Sequence, residues 1–162
     1  MGRNILFSKD KNLSVVIPCY NEAENIKQLL VRAETLLSRR DDIKIIFVEN
    51  GSTDASASIF AKLISKNDRN FSVVYIPQNM GYGFGIMEGL KQAKTELVAW
   101  THADQQTDIL DLIKALELST RKFDEPTVVK GNRVKRGCVD SFFTRGMSIL
   151  AKTLLQGDYE DI

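Results

Sequence analysis

Short β-branched runs alternate with amphipathic stretches along this chain, and that alternation restricts its fold more than any other feature. The runs Leu13–Ile17, Ile43–Val48, Phe71–Ile76, Leu97–Thr101 and Thr127–Lys130 read as buried strands. Between and after them, Glu24–Ser38, Asp54–Ser65, Tyr82–Ala93, Ile109–Ser119 and Ser141–Leu155 read as helices. In the first helix Ile26, Leu29, Leu30, Ala33, Leu36 and Leu37 recur at helical spacing. Pro18 and Pro77 are expected to stop the first and third strands, and Asn21 with Glu24 resembles a capping box. The hydroxyls of Ser52 and Thr53 suit the cap of the second helix. Strand–helix alternation of this kind predicts βαβ units: an α/β fold with a mainly parallel sheet and helices on both faces. Ligands of such sheets bind beyond the carboxyl ends of the strands. The polar and glycine-rich segments 19–22, 49–54 and 102–106 fall at those ends.

Composition removes several classes. With 22 Lys+Arg against 21 Asp+Glu the net charge is +1, without the basic excess of a nucleic-acid binder. The longest uncharged stretch, Asn70 to Met87, holds Pro77, Gly81, Gly83 and Gly85 and cannot cross a membrane. The N-terminus lacks a signal peptide's apolar core, so a cytoplasmic protein is expected. Cys19 and Cys138 are too few for a disulfide framework or a zinc cage and are expected to be reduced thiols. With one histidine, His102, any His-dependent chemistry runs through that residue.

Three segments carry candidate chemistry. If His102 still belongs to the fourth strand, His102, Asp104 and Gln106 alternate onto one side, where imidazole, carboxylate and amide oxygen together suit Mn²⁺ better than Ca²⁺. The alternative is that Asp104 or Asp108 caps the next helix and His102 is a solvated loop residue. The glycines of Asn79–Gly85 do not spell a dinucleotide fingerprint. They either let backbone amides approach a phosphate at a helix N-terminus or make a tightly packed turn. Arg133, Lys135 and Arg136 could pair with phosphate or form a solvated basic loop.

Taken in order, Val16–Glu22, Val48–Asp54, Asn79–Gly83 with Gly89 and Ala93, His102–Gln106 and Gly131–Arg133 resemble the family 2 glycosyltransferases, whose domain has the GT-A fold. Within that family the chain looks most like the polyprenyl-phosphate, dolichol-phosphate mannose synthase-like branch. The resemblance implies one nucleotide-sugar-binding domain over residues 1–162 with its core at 13–155. It also implies a metal-dependent inverting transferase of cell-surface polysaccharide or glycolipid biosynthesis. Such an enzyme moves a sugar from a UDP- or GDP-sugar to a lipid-phosphate or saccharide acceptor, with Mn²⁺ or Mg²⁺ as cofactor, at the inner face of the membrane. A degenerate domain that binds nucleotide-sugar without transferring is the rival reading.

Carried over by position, Pro18, Tyr20 and Glu22 fall where the family cradles the donor nucleoside. Gly81 falls in its glycine segment, Asp104 on its central metal-binding Asp and Gln106 on the Gln facing the metal. Arg133 falls on an Arg that meets donor diphosphate or acceptor phosphate. Thr144 and Arg145 fall near the acceptor phosphate. The sequence departs from the pattern twice. Glu49-Asn50 replaces the usual Asp-Asp, so a base contact there falls to Asn50, which both accepts and donates. His102 replaces the first Asp of the metal motif. The chain ends at Ile162, where relatives continue into acceptor-side segments, so a donor-binding part of a longer protein is expected. If the acceptor were a sugar hydroxyl, Glu160 or Asp161 would be the late candidate base. The apolar residues of 141–155 predict pairing of two copies across that helix.

Overall fold

A computed structural model describes residues 12–66 and 68–118. The expected strand 127–130, the helix 141–155 with its proposed dimer contact, and Cys138, Arg133, Thr144, Arg145, Glu160 and Asp161 all lie outside the described residues.

Four strands, β1 (Leu13–Cys19), β2 (Ile43–Asn50), β3 (Phe71–Ile76) and β4 (Leu97–Trp100), form one parallel sheet in the order β3-β2-β1-β4. Four helices, α1 (Ile26–Arg39), α2 (Ser56–Leu63), α3 (Tyr82–Gln92) and α4 (Asp111–Leu118), alternate with them. Every residue of β1 is buried, as a central strand covered on both faces requires.

One face of the sheet carries Val15, Ile17, Ile45 and Phe47 against Ile26, Leu29, Ala33 and Leu36 of α1 and Phe60 of α2, with Leu112, Ile113 and Leu116 of α4 packed alongside. The rings of Phe47 and Phe60 lie 5.2 Å apart. The other face carries Val16, Ile46, Val48 and Ile76 against Leu90 and the following Ala93. The helices therefore do lie on both faces. Close contact on the second face depends on Gly89, where an added Cβ would stand 2.3 Å from Val16 Cγ1.

Several boundaries differ from the sequence expectation, each for a local reason. Pro18 does not end β1, which runs on to Cys19. Residues two apart in a strand direct their backbone groups to the same neighbour. Val16 O accepts from Thr101 N on the β4 side, so the amide that Pro18 lacks would also point there. Strand pairing with β4 is already over at Trp100, and nothing is lost. The first helix starts at Ile26, not Glu24, and Asn25 at its cap position makes no side-chain cap bond. The second starts at Ser56 after Ala55, again without a side-chain cap bond. The polar side chains expected to cap these helices are used between loops instead.

Candidate functional site

The carboxyl ends of β1, β2 and β4 open on a cleft. Pro18, Tyr20 and Glu22 line it from β1, Asn50 from β2, Gly81 at the start of α3, and His102 and Asp104 after β4. Seven of the residues singled out in the sequence are thus brought to one place. Gln106 does not line this cleft, and its backbone N–H donates to Asp104 Oδ1 at 3.0 Å. Cys19, Asn79, Tyr82 and Ala103 also line it, without having been assigned a role from sequence. Asn79 and Tyr82 flank Gly81, and that adjacency was the signal available for them.

The β1 and β2 wall is held by reciprocal bonds between two loops. Asn21, with a left-handed φ of 57°, accepts through Oδ1 from Thr53 N at 2.8 Å, Thr53 Oγ1 at 3.2 Å and Asp54 N at 3.3 Å. In return, Asn21 N donates to Ser52 Oγ, Glu22 N to Ser56 Oγ and Ala23 N to Asp54 Oδ2. These partners are what the capping-box and hydroxyl-cap readings lacked. Desolvation pushes the Asp54 carboxyl up, but hydrogen bonds from Ser56 and Ala23 outweigh it and hold the group below its usual range. Glu49 is buried and accepts from Ser52 N at 2.7 Å. Burial raises the pKa of the Cys19 thiol far above its ordinary value, with Glu22 and Glu49 adding to the effect, which keeps it a protonated, inert thiol.

Gly51 holds φ +67° where a Cβ would stand 2.4 Å from Asn79 N, so this turn admits only glycine. Asn50, only 2% exposed, points its Nδ2 at Gly81 O (3.1 Å) and Asn79 Oδ1 (3.5 Å). Its Oδ1 is buried without a hydrogen-bond partner among the described residues. Such an acceptor costs free energy until a donor reaches it.

The glycine segment divides by role. A Cβ at Gly81 or Gly83 would meet open space, whereas one at Gly85 would press on Asn50 and Pro18 at 3.3–3.4 Å. Close packing therefore explains Gly85 and Gly89. Gly81 supplies the φ of +96° that starts α3.

After β4 the backbone leaves the extended form, so the strand alternation expected for residues 102–106 does not occur. Gln105 turns at φ 58°. His102 and Asp104 nevertheless both face the cleft. Asp108 makes a turn just ahead of α4: its Oδ1 accepts from Leu110 N at 3.0 Å while Oδ2 pairs with Arg32. His102 is not simply solvated either: its ring stacks on Tyr82, centroids 4.9 Å apart and planes 5° apart. Burial raises the pKa of the Tyr82 phenol, and Asp104 raises it further. Among the described residues no cluster of three His, Cys, Asp or Glu side chains could cage a metal ion. His102 and Asp104 nonetheless offer an imidazole and a carboxylate on the cleft wall, donor types that suit a divalent cation completing its shell with ligand oxygens. No helix among the described residues is long and apolar enough to cross a membrane.

Comparison with known proteins agrees with this architecture. The chain is 34% identical over 122 residues to the undecaprenyl-phosphate 4-deoxy-4-formamido-L-arabinose transferase of Pseudomonas fluorescens, covering 75% of this chain and 36% of that protein. It is 29% identical over 161 residues to the enzyme of the same name from Proteus mirabilis, covering 94% and 48%. The chain thus spans roughly a third to a half of the curated relatives it matches, and their names fall in the polyprenyl-phosphate branch that its motifs resemble. Among solved structures, Staphylococcus aureus TarS 1-349 in complex with UDP superposes with a TM-score of 0.50 at 28% identity, over 57% of this chain and 27% of that one. The fold is also that of the mannosyltransferase PcManGT from Pyrobaculum calidifontis, solved with GDP-Man and Mn²⁺, with a TM-score of 0.51 at 24% identity over 62% and 30%. The sequence pattern of the Glycosyl transferase family 2 matches residues 14–160. By that match, its relatives and its GT-A sheet, the chain belongs to glycosyl transferase family 2.

Proposed function

We propose that this chain binds the donor of a metal-dependent, inverting sugar transfer from a nucleoside-diphosphate-sugar to a polyprenyl phosphate. The observation that carries the reading is the convergence of His102, Asp104 and Asn50 on one cleft at the carboxyl edge of a parallel sheet. His102 and Asp104 are the side chains that would hold Mn²⁺ or Mg²⁺. The bound cation supplies charge neutralisation for the leaving diphosphate. Pro18, Tyr20 and Glu22 form the wall against which the nucleoside lies. The family resemblance gives Arg133 a phosphate-binding role and Thr144 and Arg145 a role toward the acceptor phosphate; all three lie outside the described residues. A lipid phosphate is already anionic, so attack on the anomeric carbon needs no general base. The polyprenyl-phosphate names of the curated relatives favour this acceptor over a saccharide. Work on such an acceptor brings the protein to the membrane surface.

Asn50 is the residue we assign to the base. Its NH₂ faces two oxygens, and turning the amide over would set oxygen against oxygen. The Oδ1 is a buried acceptor, and a donating base edge such as uracil N3–H or guanine N1–H, unlike cytosine N3, would satisfy it on reaching it. The UDP bound to TarS supports uracil.

Calorimetry with uridine, guanosine and cytidine diphosphates, with and without Mn²⁺, tests both assignments. Uridine diphosphate is expected to bind, Mn²⁺ to tighten it, and Asp104→Ala to abolish the tightening. Asn50→Ala is expected to flatten the ranking of bases. Equal affinity in the native chain and Asp104→Ala would remove the metal assignment, and an unchanged ranking would make Asn50 a turn residue. Consumption of labelled UDP-sugar with polyprenyl phosphate separates transfer from binding alone.

A further inference from the structure

Tyr82 and His102 belong to different walls of the cleft. Tyr82 is the first residue of α3, directly after Gly81, and His102 stands in the turn that follows β4. Their rings lie nearly parallel, 5° apart, with centroids at 4.9 Å. The phenol oxygen is 3.5 Å from Nε2. In a parallel stack that oxygen lies over the imidazole face, whereas the nitrogen lone pair and N–H directions lie in the ring plane. The contact therefore grips the ring by its face, and among the described residues no hydrogen bond other than this long approach to Nε2 reaches either ring nitrogen. An exposed histidine on a turn would otherwise exchange rotamers freely, and stacking on an aromatic ring restricts it. Asp104 acts electrostatically on the same phenol, so all three side chains share one neighbourhood. Among the described residues an added Cβ at Gly81 or Gly83, on either side of Tyr82, would meet open space.

From this arrangement we infer that Tyr82 is a positioning residue: it docks the face of His102 so that a ring nitrogen edge joins Asp104 at the cation. The inference rests on the metal reading above. It needs the aromatic face of Tyr82 and does not need its hydroxyl. Outer partners that orient a metal-ligating imidazole commonly govern affinity by about ten- to a hundredfold.

His102 is the only histidine in the chain, so its imidazole signals in proton–carbon NMR are unambiguous. Spectra of the native 162-residue chain, Tyr82→Phe and Tyr82→Leu are to be compared during titration with Mn²⁺ at saturating uridine diphosphate. The native chain and Tyr82→Phe are expected to show His102 signals displaced by the ring current and broadened by Mn²⁺, with Mn²⁺ affinities alike. Tyr82→Leu is expected to lose the displacement and to bind Mn²⁺ about tenfold more weakly while its methyl signals stay dispersed. Native Mn²⁺ affinity in a folded Tyr82→Leu would overturn the positioning role. So would an equal loss in Tyr82→Phe, which would assign the effect to the hydroxyl. Absence of Mn²⁺ broadening at His102 in the native chain would instead overturn the metal reading itself. If Tyr82→Leu fails to fold, the comparison of Tyr82→Phe with the native chain still decides between face and hydroxyl.

Discussion

Two loops at the same edge of the sheet are built on opposite plans. The segment 50–56 is closed: Ser52, Thr53, Asp54 and Ser56 are bonded to 21–23 in both directions, and Gly51 is pressed on the backbone of 78–79. The segment 102–106 is the more open one: Gln105 Nε2 donates to Asn25 O at a long 3.4 Å. His102 is held by a ring face, and among the described residues Asp104 Oδ1 accepts from Gln106 N of its own turn. Polar side chains that already satisfy one another fix shape, while those left with unused donors and acceptors at a cleft can meet a ligand. On the function proposed above, the first loop is structural and the second faces the ligand. Asn50 stands at their border, with one end of its amide bonded and the other unpartnered.

The contrast is broken most severely at Gly51. Gly51→Ala combines a left-handed backbone with a Cβ 2.4 Å from Asn79 N, and is expected to cost about 3 kcal/mol of stability. Urea unfolding measures it, and an unmoved midpoint would show that the turn has room the contacts deny. Asn21→Gly keeps the positive φ and deletes the acceptor of three donors, so about 1–2 kcal/mol should be lost. A loss confined to nucleotide affinity would mean the loop is functional in its own right. In the open loop the sign of the expectation reverses. Asp104→Ala should leave the unfolding midpoint within about 0.5 kcal/mol of native while losing Mn²⁺-dependent nucleotide binding. A large fall in stability would place Asp104 among the structural groups.

The smallest effect concerns pH. The Asp54 carboxyl is depressed in the folded state, so the stability it gives is present above its unfolded pKa of about 3.9 and is lost as pH falls through the lower folded value. The group is largely solvated, so the contribution is small. Asp54→Asn should flatten the acid limb of a melting-temperature profile below about pH 4 and leave the neutral region shifted but parallel. A profile identical to native at low pH would remove Asp54 from the account.

Much of this was legible in the chain because it is local. The buried run Leu13–Ile17, the 3.6-residue rhythm of Ile26 to Leu36 and the polar segments after each strand carry their own period, and period sets element type. The parallel sheet, the helices on both faces and the location of the cleft follow from that alternation. Partner choice is not local. Asn21 looked like a cap, yet its bonds go to residues 32 and 33 positions away. Pro18 looked like a stop, and only the length of β4 makes it harmless. Which oxygen of the site is left unpartnered, and that a tyrosine from α3 lies over the single histidine, depended on how separate elements were brought together. A side chain's hydrogen-bonding capacity is written in its residue type, whereas what consumes that capacity is set by neighbours that only the tertiary fold supplies.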